Sequence, residues 1–136
     1  MQMQTTHKKS ALEFLKTLDL EIYEAFNEGG SLHPDLTNAL LELLYGTLYQ
    51  RGQLSLRERI LVTIAILMSS GNMAPQLAAQ TRIALKNGIK HEELMEIAFQ
   101  ISPFSGFANA INALNVVDSV VDTLDDPRND GEPSAG

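Results

Sequence analysis

Residues 54–114 read LSLRERILVTIAILMSSGNMAPQLAAQTRIALKNGIKHEELMEIAFQISPFSGFANAINAL, a stretch holding three helix-length apolar patterns, each followed by a glycine. The first runs from Leu56 to Met68 and stops at Gly71, and the second runs from Met73 to Lys86 and stops at Gly88. The third runs from Glu92 to Ile101, ahead of Pro103 and Gly106. Apolar residues recur at helical spacing, and no sustained period-two alternation marks a strand. Titratable chemistry is sparse: cysteine is absent and His91 is the one histidine of the stretch.

Outward from this stretch the helical pattern continues. Ser55 and Glu58 have the spacing of a capping box, in which the serine hydroxyl accepts the N–H three residues on and the carboxylate reaches back. The helix they begin is apolar nearly all round from Ile60 to Met68, which predicts a central, buried element. Upstream, Ser10 is placed to cap a helix with Leu12, Leu15, Leu18, Ile22 and Phe26 on one stripe, ended by Gly29 and Gly30. Ser31 is placed to cap the next, with Pro34 in its first turn and Leu36, Leu40, Leu43, Leu44, Thr47 and Leu48 following. Downstream, Pro103 is expected to break the third pattern. A last helix, 107–124, would point Ala110, Ile111, Leu114, Val117, Val120 and Val121 at the core. Six helices with short connections make an all-α bundle. Its apolar faces exceed what one small domain buries, and Ala108, Ala110 and Ala113 suit a close helix approach, so a homo-oligomer is expected.

The bulk properties bound the function. With 136 residues, 44% hydrophobic and 20% charged, the chain has one domain's worth of ordinary globular sequence. The organisation expected is a flexible N-terminus over 1–9, a helical domain over 10–124 and a disordered acidic tail over 125–136. Without cysteine there is no disulfide, thiolate site or thiol nucleophile. A polar N-terminus with no signal-peptide core, and no apolar run near about 20 residues, make a cytoplasmic protein without membrane insertion the default. A formal charge of −7 with only ten Lys and Arg argues against nucleic acid.

Several short motifs together carry a kinship. Tyr45-Gly46-x-x-Tyr49-x-Arg51, Leu54-Ser55-Leu56-Arg57-x-Arg59-x-Leu61-Val62-Thr63-Ile64-Ala65, Arg82-x-Ala84-x-x-Asn87-Gly88, Glu92-Glu93 and Phe104-x-Gly106-x-x-Asn109-Ala110 stand in that order. Over roughly residues 36–117 the chain resembles the carboxymuconolactone decarboxylase family, which has the alkylhydroperoxidase D-like all-helical fold. The resemblance implies a homo-oligomer, commonly a trimer or hexamer, with pockets near subunit contacts and no metal or organic cofactor. It implies loss of CO₂ from a small carboxylated lactone in aromatic-compound breakdown.

The chain departs from that family where chemistry is done. Peroxidase-type members carry a Cys-x-x-Cys pair and, one turn on, a histidine; those places hold Met73, Gln76 and Gln80. A thiol relay is excluded, and Gln80 cannot shuttle a proton near neutral pH. A glutamate that often follows the family's third-helix arginine is Ile60 here, after Arg59. Glu58 lies about 200° around the helix from that position and is no simple substitute.

The candidate residues are therefore weighed individually. Glu58 is a candidate general base, with its capping role as the plainer account. Gln80 is a candidate ligand-orienting amide, or a hydrogen-bonded interface residue. Arg51 and Arg82 are candidate carboxylate clamps, or ordinary surface cations. By resemblance, Tyr49, Phe104 and Asn109 join Gln80 and Arg51 in lining a pocket, and Asn109 and Asn112 face either a pocket or an interface. His33 and His91 are expected at the surface without metal partners, and Met68, Met73 and Met95 as core filler. The leading reading is a cofactor-independent lyase acting on a small carboxylated lactone; the alternative is a non-catalytic small-molecule-binding or assembly protein of the same fold.

Overall fold

The structure is a computed structural model that describes residues 2–28 and 33–125, with side chains at 8–27 and 33–125. The described residues form seven α-helices and one 3₁₀ turn: α1 (Gln2–Leu18), α2 (Leu20–Glu28), α3 (Pro34–Leu44), the turn Leu48–Gln50, α4 (Leu56–Ser70), α5 (Ala74–Lys86), α6 (His91–Ser105) and α7 (Phe107–Asp125). The all-α expectation holds, with seven helices where six were expected. Residues 29–32, including the expected Ser31 cap, and the tail over 126–136 lie outside the described residues. Backbone contacts gather into two units, Met1–Arg59 and Ile60–Gly136.

In the first unit α1 packs against α2 and α3. The extra helix arises at Asp19, where one helix from Ser10 to Phe26 was expected. Asp19 is buried, and its Oδ1 accepts the N–H groups of Glu21 (2.9 Å) and Ile22 (3.2 Å). A carboxylate at that place caps a new helix start, a role worth about 1 kcal/mol. Ser10 lies inside α1, which begins eight residues earlier, at Gln2, and so caps nothing. Ala11, Leu15, Leu18, Leu41, Tyr45 and Tyr49 are buried. Tyr45 meets Phe26 and Tyr49 edge-on, with ring centroids 6.2 and 5.6 Å apart. On α3 Leu36, Leu40 and Leu43 are exposed, and Leu41 is buried. A helix this rich in leucine offers two apolar stripes, and periodicity does not rank them.

In the second unit α7 packs against both α5 and α6. Leu77, Ile83, Ala84, Ile89, Leu94, Ala98, Ile101, Ala110, Ala113 and Val117 are buried. Ala110 and Ala113, expected to admit a helix of another subunit, are thus already covered within the chain, whereas Ile111 is exposed. The expected all-round burial of α4 is also corrected. Ile60, Ile64 and Met68 are buried one turn apart, while Val62 and Ile66 on other sides are 51% and 57% exposed.

Pro103 does not end α6, which runs on to Ser105 and stops at Gly106. Proline removes the N–H that would bond the carbonyl four residues earlier, that of Phe99. The Ser102 hydroxyl donates to that carbonyl at 2.8 Å, so the released acceptor keeps a partner inside the helix. No helix of the described residues is long and apolar enough to cross a membrane.

Candidate functional site

Among the hollows of the second unit, two are built on α5 and α7. The first lies at the start of α5 and has a volume of about 260 Å³. Its wall runs from Leu67 and Met68 through the Gly71–Asn72 turn to Met73, Ala74 and Leu77, and is completed by Asn109, Asn112, Ala113 and Val116. The turn that shapes it needs a glycine, because Gly71 sits at φ 69° and a Cβ there would stand 2.9 Å from Asn109 Oδ1. Asn109 donates its amide N–H groups to the carbonyls of Ser69 and Ser105, each at 3.1 Å. It thereby ties α7 to the end of α4 and to the end of α6.

The second hollow is an open groove of about 570 Å³, lined on α5 by Ala74, Ala78, Ala79 and Arg82 and on α7 by Asn115, Val116, Ser119, Val120 and Thr123. Ala74, Ala78 and Arg82 recur every four residues, as do Asn115, Ser119 and Thr123, so each set forms one stripe on its helix. Ala74 and Val116 belong to both hollows, which therefore adjoin. Neither lining contains Asp, Glu, His, Lys or Tyr, and Arg82 is the one charged side chain among them.

The expected site residues divide between the two units. Glu58 is exposed in the first turn of α4 and forms the capping box: Ser55 N–H donates to its Oε1 at 2.9 Å, and its own N–H donates to Ser55 Oγ at 3.1 Å. The bonds from the Ser55 backbone and then its side chain hold the Glu58 carboxyl below the ordinary glutamate range, slightly opposed by desolvation. A base needs a raised or near-neutral affinity for protons, and this shift goes the other way. Tyr49 is buried with its ring against Tyr45, and Arg51 is exposed just after the 3₁₀ turn. The neighbouring Arg59 donates to the Gly52 carbonyl at 2.9 Å, bracing the loop before α4.

In the second unit, Arg82 lines the groove and Asn109 the smaller hollow. Gln80 lines neither; it is 6% exposed, on the face of α5 that also buries Leu77, Thr81 and Ile83. Phe104 is 83% exposed, in the last turn of α6. Arg82, Asn109, Gln80 and Phe104 are therefore not gathered around one cavity. Of the two positions matching the family's cysteines, Met73 lines the smaller hollow and Gln76 is exposed. His91 Nε2 stands 2.8 Å from Asp118 Oδ1, linking the start of α6 to α7. No cluster of three His, Asp or Glu side chains among the described residues is arranged to hold a metal ion.

Asn115, Ser119 and Thr123 were missed as site residues from the sequence. Their signal is a polar stripe at every fourth position of α7, facing alanines at the same spacing on α5.

Residues 34–119 match the Carboxymuconolactone decarboxylase family. The chain belongs to that family. The match includes α3 to α6, most of α7, and the positions of Met73, Gln76 and Gln80. It begins in the first unit and ends in the second. The chain is also similar to an uncharacterized 15.0 kDa protein from the nqo9–nqo10 intergenic region of Paracoccus denitrificans. The two are 34% identical over 90 residues, covering 65% of this chain and 67% of the relative.

Proposed function

We propose that this family member is a non-catalytic small-molecule-binding protein that works as a homo-oligomer. The observation that carries this reading is the lining of the two hollows built on α5 and α7: amides, hydroxyls, apolar residues and one arginine. Such a lining binds and orients a ligand, but it has no group that gains and loses a proton near neutral pH. The two residues best placed by sequence for catalysis support the same reading. Glu58 is engaged as a helix cap, and Gln80 occupies the family's histidine position without lining either hollow. Exposed Phe104, Phe107 and Ile111 near the α6–α7 turn, and Val62 and Ile66 on α4, suit self-association.

A lyase acting on a small carboxylated lactone is the second reading. It is favoured by family membership and by Arg82, which is able to hold a carboxylate at the edge of a cavity. Loss of CO₂ would leave its electron pair delocalised into the lactone carbonyl as an enolate, and a proton would then have to reach carbon. The donor for that proton is the step for which the hollows offer no side chain.

The test is to incubate wild type and Gln80→His with carboxylated lactones and follow CO₂ release. The binding reading expects saturable binding without turnover in wild type. Turnover by wild type at enzymatic rates overturns it in favour of the lyase.

A further inference from the structure

We infer that the smaller hollow, at the start of α5, binds a small uncharged ring that carries an N–H beside a carbonyl: a lactam or cyclic imide. The inference rests on the binding reading above and names the ligand class of one of its sites. Size sets the first limit. A volume of about 260 Å³ lies just below the roughly 300–1,000 Å³ of drug-sized sites, so the hollow suits a single small ring. Hydrogen bonding sets the second. On α7, Asn109, Asn112, Ala113 and Val116 are spaced three and four apart, so one face of the helix lines the hollow. Asn109 donates both amide N–H groups to backbone carbonyls. Its Oδ1 is left as an acceptor beside Gly71, which has no side chain to cover it.

Asn112, one turn on, and Asn72, in the turn before α5, make no hydrogen bond among the described residues. Their amides are therefore open to a ligand. A carboxamide holds a donor and an acceptor side by side, and it pairs through two bonds with a planar edge that offers the complement, as asparagine does with adenine. The cis amide of a lactam ring is such an edge, whereas a lactone ring lacks the donor. Charge sets the third limit. The polar side chains of the lining are Ser70, Asn72, Asn109 and Asn112, and none of them ionises. A carboxylate entering there would lose water and meet no cation, only the partial charge at the start of α5. The thioethers of Met68 and Met73, which adapt to irregular shapes, supply apolar contact for the ring.

The experiment titrates the full chain with 2-piperidone, with its ester isostere δ-valerolactone, and with pyroglutamate and its primary amide as a charged and neutral pair. NMR shifts of backbone and asparagine side-chain amides locate and quantify binding. 2-Piperidone is expected to bind saturably, shifting the Gly71, Asn112 and Ala113 signals, with δ-valerolactone weaker by about fivefold, the scale of one hydrogen bond. The amide of pyroglutamate should bind more tightly than pyroglutamate. Asn112→Leu, which breaks no hydrogen bond of the fold, should bring the lactam down to the level of the lactone. Equal affinity for lactam and lactone in wild type, or a preference that survives Asn112→Leu, overturns the paired-amide assignment. Tighter binding of pyroglutamate than of its amide overturns the uncharged ligand, and shifts mapping away from the start of α5 and from α7 overturn the site. None of these results is read from CO₂ release, which decides the binding reading, so the two failures are distinguishable.

Discussion

At Gly71 two constraints coincide: a backbone in the left-handed region and an asparagine oxygen 2.9 Å from where a methyl would be. Gly71→Ala is therefore expected to destabilise the fold by about 1–3 kcal/mol. Asn109→Ala in the same chain should recover only the steric part, since the strain of φ remains; urea unfolding of the four combinations measures both. Glu58 makes a different prediction, because its carboxyl is held below its unfolded affinity for protons. Its contribution is full above the unfolded value and is lost as pH falls through the lowered folded one. Thermal melts of wild type against Glu58→Gln should thus differ most near neutral pH and converge in acid. A difference that grew on acidification would contradict the capping account. The capping box itself was legible because Ser55 and Glu58 are local partners, three residues apart.

Among the elements, α6 shows why local rules misplace a boundary. Pro103 argues for a stop, yet the helix continues because Ser102 supplies the hydrogen bond that the Phe99 carbonyl would otherwise lose. Ser102→Ala is expected to cost about 0.5–1.5 kcal/mol, the scale of one hydrogen bond. Pro103→Ala restores the missing N–H, so the cost of Ser102→Ala should shrink in that background; chemical denaturation of the double-mutant cycle reads the coupling. Asp19 misleads in the opposite direction. Its polar side chain sits within a helical period, but burial and two backbone N–H donors turn it into a cap that splits the helix. On α3 and α4 the apolar period was visible, but which side faced inward was not. Leu36, Leu40 and Leu43 are as apolar as Leu41, and nothing local distinguishes them.

For the whole molecule, the surface raises the question of assembly. Phe104 and Phe107, separated only by Ser105 and Gly106, are 83% and 72% exposed. Replacing both by aspartate is expected to shift the protein toward a smaller species in light scattering, with helicity unchanged by circular dichroism. A wild-type monomer would remove self-association from the proposed function.

Helix content, the capping box and family membership were readable directly, because they depend on residues close in the chain or on motif order: glycines 71, 88 and 106, Ser55 with Glu58, and the match over residues 34–119. The arrangement of the candidate site was not readable in the same way. Whether Gln80 borders a hollow, whether Arg82 lines a groove with Ser119 and Thr123, and whether Asn109 reaches Ser69 forty residues away depend on how α4, α5 and α7 lie against one another. A helix exposes its side chains all round, and the face that becomes a cavity is set by packing partners distant in the chain, which no local pattern encodes.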